Sequence, residues 1–399
     1  MTLASLDGIV GAHAEGHMLN VSSLIGSARS DSDALRYGWD RPGETTPGAS
    51  TTRRPVVVWN STRGCNLSCS HCYASATRRS GDDELSTEQG LALIADLASY
   101  EVPALLLSGG EPLTRPDLVE LAREAHRLGI RVTLSSNGTL ISPAVAVSLR
   151  ESGVSYVGIS IDGDEETHDR LRCREGARAE AVAGLRRLGE AGVRRGVRFT
   201  LTPGTYRQLE AVLELVESED VERLCVYHLV PAGRGGRLDD VSPGQRRSAL
   251  ERIFAFAAEH RGVEVLTVDN PSDGPFLLEW LVTHDPHRAD VARRALRWNR
   301  GATAGAGIAL ACIDERGEVH PDQFARHHSF GNVRHTPFSR IWRDATDPFL
   351  RGLRSGQWIP ETCTSCEGLD LCGGGFRSRA ELVTGDPAGF DPSCNLVAS

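Results

Sequence analysis

The chain has 399 residues, 40% hydrophobic and 24% charged, with a formal net charge of −9. That length suits two domains, or one large barrel with an appendage, and the acidic balance argues against a nucleic-acid or anionic-membrane partner. All 44 basic residues are arginine, which excludes lysine Schiff-base chemistry and a P-loop lysine.

No apolar run approaches the ~20 residues of a transmembrane helix, and the N-terminus lacks a basic segment followed by an apolar one. A cytoplasmic protein is expected. Ten cysteines in a reducing compartment read as metal ligands before they read as structural disulfides, and seven of them fall into two clusters.

Residues 1–53 are rich in Ser, Gly, Asp, Ala and Thr, with little periodicity outside Leu19 to Ile25, and read as a flexible leader. From Arg54 a β-rich apolar run followed by a helical stretch repeats six times. Strands are predicted at 55–59, 104–107, 131–134, 156–161, 197–201 and 224–230. One helix opens on a capping box from Ser86 to Gln89, and another runs from Asp117 to a stop at Gly129. This alternation implies an α/β fold with a parallel sheet, right-handed crossovers and ligands at the C-terminal ends of the strands. After Gly236 the pattern turns mostly helical, with a loop over Asp269 to Gly274, and 237–300 reads as a helical bridge. The last region, 301–399, opens with a Gly/Ala-rich stretch and a hairpin from Ile308 to Pro321 turning at Glu315-Arg316-Gly317.

Cys65, Cys69 and Cys72 form a Cx3Cx2C loop directly after the first strand. A [4Fe-4S] cube takes four ligands, so three thiolates leave one iron free to bind another molecule. A structural zinc would need a closing fourth Cys or His, and His71, between two ligands, is badly placed to supply it.

Downstream, Ser108-Gly109-Gly110-Glu111-Pro112 follows the second strand. Its glycines let backbone approach a ligand and Glu111 can receive an ammonium; a plain turn before a Pro-started helix is the bland alternative. Asn137 ends the third strand, Ser160 and Asp162 the fourth, and Arg198 lies on the fifth. A buried arginine needs an anion, which is either a ligand carboxylate or Asp162. Arg234, after the sixth strand, is either an anion contact or a surface residue.

Cys363, Cys366, Cys372 and Cys394 supply four thiolates near the C-terminus. Such a set holds either a fully coordinated iron-sulfur cluster suited to electron transfer, or zinc. Cys312 is either a buried thiol or, with His320 or Asp322, an unusual ligand or substrate contact. Cys173 and Cys225 read as small apolar residues.

The Cx3Cx2C loop together with the Gly109-Gly110-Glu111-Pro112 segment resembles the signature of the radical S-adenosylmethionine (SAM) enzymes. The resemblance implies a partial (β/α)6 TIM barrel over 54–236. It implies that Cys65, Cys69 and Cys72 hold a [4Fe-4S] cluster whose open iron chelates SAM, which the reduced cluster cleaves to methionine and a 5'-deoxyadenosyl radical. Gly109, Gly110, Glu111, Asn137, Ser160, Arg198 and Arg234 are the implied SAM contacts. The region 301–399 is similar to the SPASM or twitch-like domain, an extension carrying auxiliary [4Fe-4S] clusters, and this similarity favours a cluster over zinc at the second cysteine set. Asp322 and Phe376 stand where two further cysteines belong in the full pattern, so one auxiliary cluster is expected.

From about Met18, itself an alternative start, to Leu396 the chain resembles the radical SAM group of heme d1 biosynthesis. Val57-Val58-Trp59-Asn60, Leu134 to Leu140, Val319-His320-Pro321-Asp322, Phe330 to Arg334 and Leu382 to Pro387 carry the similarity. It implies radical removal of propionate side chains from a siroheme-derived tetrapyrrole, leaving oxo groups, with electrons from a reductase, flavodoxin or ferredoxin. A tetra-anionic macrocycle points to His228, Arg234, His320, Arg326, His327 and His328 as substrate contacts. Ala325 to His328 replace aromatic residues usual in that group, which leaves room for a different substrate. One rival is a maturase of ribosomally made peptides, although 1–53 looks short and polar for the separate peptide-binding domain of such enzymes. The other is a non-catalytic metal scaffold, against which Glu111 and the Gly109-Gly110 turn argue.

Overall fold

The computed structural model describes residues 18–28, 54–299, 305–344 and 346–396. Its centre is a ten-stranded sheet of β1 (Met18–Asn20), β2 (Val56–Thr62), β3 (Ala104–Gly109), β4 (Arg131–Ser136), β5 (Val154–Ser160), β6 (Arg195–Leu201), β7 (Arg223–His228), β8 (Glu264–Val268), β9 (Leu310–Ile313) and β10 (Val319–His320). The order is β1-β8-β7-β6-β5-β4-β3-β2-β9-β10. From β2 to β8 every strand pairs in parallel with its chain neighbour. The sheet is thus singly wound, with its ligand-binding edge at the C-terminal ends.

Alternation along these strands divides two apolar layers. Val57 and Trp59 of β2, Leu105 and Leu107 of β3, and Val197 and Phe199 of β6 pack into one large core with helix residues such as Leu93, Ile94, Leu121 and Leu185. The other face carries a small cluster of Val56, Val58, Ala104, Leu106, Leu310 and Cys312. The helices therefore cover one side and leave the inner side for a cavity. The Ser86 capping box forms as predicted, with both reciprocal hydrogen bonds made.

All six predicted strands are present, and the sheet extends beyond them at both ends. β8, inside the stretch read as a helical bridge, is a seventh parallel strand; the helices Pro243–Glu259, Asp273–His284 and Pro286–Asn299 surround it. The last turn of the predicted 269–274 loop already belongs to the second of these helices. Residues 18–28, placed in the flexible leader, are folded: β1 pairs antiparallel with β8, and Asn20 caps the helix Val21–Ile25 by accepting from the Ser23 N–H at 3.0 Å. The remainder of the predicted leader, 1–17 and 29–53, lies outside the described residues, as do 301–304 of the Gly/Ala-rich stretch.

The hairpin forms as β9 and β10, with Gly317 at φ +91° in its turn, and β9 adds in parallel to β2. Among the described residues no helix is long and apolar enough to cross a membrane.

Candidate active site

β2 ends at Thr62, and the cysteine loop departs from the C-terminal edge of the sheet. The Cys65 N–H donates to the Thr77 carbonyl at 2.8 Å and Thr77 N–H to Arg63 at 3.0 Å, closing the loop on itself. The end of β3 lies against it: Gly110 N–H donates to Thr62 and Glu111 N–H to Gly64, both at 2.8 Å. A Cβ on Gly110 would sit 2.2 Å from the Gly64 carbonyl oxygen. Glycine here permits a close approach to the protein's own backbone.

The segment after β7 clamps the loop from the other side. Arg234 donates from its backbone N–H to Cys72 (2.9 Å), from Nε to the Cys69 carbonyl (2.8 Å) and from Nη1 to the Ala76 carbonyl (2.8 Å). Arg234 was expected either to grip an anion or to lie on the surface. Its Nε and Nη1 are engaged by the carbonyls of the cysteine loop, and it lines the cavity.

Glu111 is likewise held by the protein itself. It is wholly buried, and its carboxylate accepts from Ser136 Oγ (2.9 Å), Asn137 N–H (2.7 Å) and Leu113 N–H (3.2 Å). Burial pushes its pKa up to about 7 against the pull of these donors. It braces the β4 turn and is absent from the cavity lining.

Asp162 and Arg172 form a buried ion pair below the loop. Burial raises the Asp162 carboxyl, but Arg172 beside it, the largest opposing influence, holds it below the usual carboxylate range. Arg172 also reaches Cys69 Sγ at 3.6 Å. Asp162 therefore takes Arg172. Arg198 sits with its guanidinium carbon 4.4 Å above the Tyr227 ring. Arg172 escaped sequence reading; the signal available was Asp162 itself, a strand-end carboxylate that needs a cation once buried.

These parts converge on a cavity of about 170 Å³ that is open to solvent. Cys65, Cys69 and Cys72 line it, as do Gly109, Gly110, Asn137, Ser160, Arg198, Arg234 and His228. The three cysteines are free thiols. Burial pushes Cys65 up to about 12 and raises Cys69 against the opposing charge of Arg172. Such thiols are inert alone, and metal coordination is what deprotonates them. Besides Arg172 at Cys69, their sulfurs receive weak contacts, from Leu67 N–H at 3.4 Å and Asn137 Nδ2 at 4.0 Å for Cys65 and from Ala76 N–H at 3.5 Å for Cys72. This donor set fits a cluster held by three thiolates. His71 does not join it: its ring turns toward Asp162 at 3.9 Å, and burial lowers its pKa to about 4.

Residues 59–217 match the model of the radical SAM superfamily. The chain is 44% identical to the Fe-coproporphyrin III synthase of Methanosarcina barkeri over 95% of this chain and 98% of that one. The chain belongs to the radical SAM superfamily. It is also 39% identical to the pre-heme d1 synthase of Dinoroseobacter shibae, over 88% of each chain. The fold is similar to Streptococcus suis SuiB bound to S-adenosylmethionine, with a TM-score of 0.67 at 16% identity over 86% of this chain and 78% of that one. As a radical SAM enzyme it uses a [4Fe-4S] cluster and SAM.

The C-terminal region of this radical SAM enzyme brings Cys363, Cys366, Cys372 and Cys394 together around a second, smaller pocket. All four are free, and burial pushes Cys372 up to about 11. Asp322 and Phe376 have other duties. Asp322 accepts from the N–H groups of Phe324 (2.8 Å) and Ala325 (2.9 Å) and from Ser378 Oγ, and Phe376 fills an apolar cluster with Val230, Phe349 and Leu353. Neither supplies a thiolate.

Four predicted substrate contacts lie elsewhere than the cavity lining. His320 bonds through Nδ1 to the His328 carbonyl at 2.8 Å, Arg326 is held by Asp314 (3.0 Å) and Glu315 (2.7 Å), and His327 and His328 share Glu381. Each is committed to protein partners. Cys312 is a buried thiol, 3.7 Å from Asn60 Nδ2. Cys225 is buried as expected, whereas Cys173 is exposed at a helix end with φ +53°.

Proposed function

We propose that this radical SAM enzyme modifies the carboxylate-bearing side chains of a siroheme-derived tetrapyrrole. In this reading Cys65, Cys69 and Cys72 hold the cluster that binds SAM, with Gly109, Gly110, Asn137, Ser160 and Arg198 as SAM contacts. Cys363, Cys366, Cys372 and Cys394 hold one auxiliary [4Fe-4S] cluster in a SPASM-like region. When bound, the first cluster and SAM supply a hydrogen-abstracting radical. The chain's own work is to position substrate and exclude water: Arg234 and the Gly109-Gly110 segment fix the cysteine loop, and Glu111 fixes the turn that carries Asn137.

The observation that carries this reading is the joining of the three cysteines and these strand-end residues in one cavity, in a chain alike over nearly its whole length to two enzymes named for tetrapyrrole products. Removal of propionate groups to leave oxo groups is the d1-type form of the reaction. The name of the 44%-identical relative favours a second form that ends in an iron coproporphyrin.

The test is an anaerobic incubation with reductant, SAM and a didecarboxylated siroheme, followed by mass spectrometry. Production of 5'-deoxyadenosine with loss of side-chain mass, abolished by Cys65→Ala, supports the reading, and the mass lost separates the two forms. Deoxyadenosine with an unaltered macrocycle would overturn the tetrapyrrole assignment and turn the search to peptide substrates.

A further inference from the structure

His228 and Asp273 form a buried pair that none of the interactions above uses. His228 closes β7, is 3% exposed, and lines the same cavity as the three cysteines of the loop. Its Nε2 lies 2.8 Å from Asp273 Oδ2. The other carboxylate oxygen, Oδ1, accepts from Asn270 Nδ2 at 2.8 Å and from Asn395 Nδ2 at 2.7 Å. A carboxylate so surrounded by donors is an acceptor at both oxygens, so the proton shared with the histidine resides on Nε2. With Nε2 turned to the carboxylate, Nδ1 is the ring atom left to offer a lone pair to a ligand. That nitrogen is buried and has no hydrogen-bond partner among the described residues.

A histidine held by a carboxylate on one ring nitrogen, with a bare lone pair on the other, is how proteins prepare imidazole for a metal. Haem iron is commonly held by such a nitrogen. The four cysteines of the second pocket and the three of the loop account for the iron-sulfur chemistry, and His228 belongs to neither set. Resting on the tetrapyrrole reading above, we propose that His228 Nδ1 is an axial ligand to the iron of an iron-tetrapyrrole substrate, with Asp273 as the positioning residue that fixes its tautomer and orientation.

The bond is a donation of the Nδ1 lone pair into an open axial position of the iron, so no proton or electron is exchanged in forming it. It secures the macrocycle by its centre and leaves the peripheral side chains, where the chemistry happens, unencumbered.

The experiment uses the reconstituted enzyme, oxidised and without reductant, titrated with ferric coproporphyrin III and, separately, with metal-free coproporphyrin III. Binding is followed by fluorescence for the metal-free form and by electron paramagnetic resonance for the ferric form. Wild type is expected to give a ferric spectrum with a nitrogen axial ligand. His228→Ala and His228→Gln should lose that spectrum and at least about tenfold in affinity for the iron form while binding the metal-free form as wild type does; added imidazole should restore the spectrum in His228→Ala. Asp273→Asn should keep a nitrogen-ligated spectrum with weakened affinity. An unchanged ferric spectrum in His228→Ala, or an equal loss of affinity for both macrocycles in both His228 variants, would overturn the proposal, the latter assigning His228 to a carboxylate contact or to packing. If wild type binds neither macrocycle yet cleaves SAM, the tetrapyrrole reading falls together with this one, whereas binding without nitrogen ligation removes this one alone.

Discussion

Arg172 Nη1 lies 3.6 Å from Cys69 Sγ, while the opposite corner of the same guanidinium is hydrogen-bonded to the wholly buried Asp162. One cation thus serves both a strand end and the cysteine loop. Replacing Arg172 by Met leaves Asp162 buried beside two neutral imidazoles, at a cost of about 3–5 kcal/mol. The double variant Arg172→Met/Asp162→Asn should recover much of that loss. Urea unfolding of the four members of the cycle checks both expectations.

His168 accepts the Asp162 N–H at 3.1 Å, and burial lowers its pKa to about 4 from an ordinary 6.5. Because the folded pKa is depressed, the folded state binds fewer protons than the unfolded state between these values. Its contribution is therefore intact above pH 6.5 and is lost as pH falls toward 4, by up to about 3 kcal/mol. His168→Asn, which keeps an acceptor without a titratable ring, should flatten that part of the profile when unfolding midpoints at pH 7.5, 6 and 5 are compared with wild type.

Gly110 has no room for a methyl group, whereas Gly244, exposed in the first turn of the helix Pro243–Glu259, has nothing within 4 Å of an added Cβ. Gly110→Ala must push the end of β3 away from the cysteine loop. It should lower the melting temperature and reduce the iron retained after reconstitution. Gly244→Ala should raise stability by up to about 1 kcal/mol and leave iron content unchanged.

Two four-iron cubes correspond to about eight irons and eight sulfides per chain. Cys366→Ser should bring the count down to about four of each, with the remaining cluster still responsive to SAM. Zinc in the C-terminal pocket, with only four irons in the wild type, would instead assign that cysteine set to a structural metal.

What could be read in advance follows the range over which each signal acts. The six strands from β2 to β7 each carry a run of apolar residues between turn signals, and the cysteine spacing is local, so both were legible. β8 was not, because five residues flanked by long helical patterns read as part of them, although Val265, Thr267 and Val268 are β-branched and Asp269-Asn270-Pro271 marks a turn. β1 is three residues long and its partner lies near the far end of the barrel, so no window around Met18 reveals it. At the site, residue type was legible but not allegiance. Arg234, Arg326 and His320 have the right chemistry for an anionic macrocycle, yet each is spent on nearby carbonyls or carboxylates that only the folded chain brings within reach. Arg172 had no motif to announce it.

β9 lies in register beside β2, with Cys312 opposite Val58. The strand that launches the cysteine loop is therefore an interior strand, flanked on one side by a segment made early in synthesis and on the other by one made late. A nascent chain that stops short of β9 exposes the unpaired backbone of β2, the kind of edge that recruits other strands. Order of synthesis and order of completion consequently differ in this protein: the N-terminal motif is translated first, but its footing is finished only when the C-terminal quarter arrives.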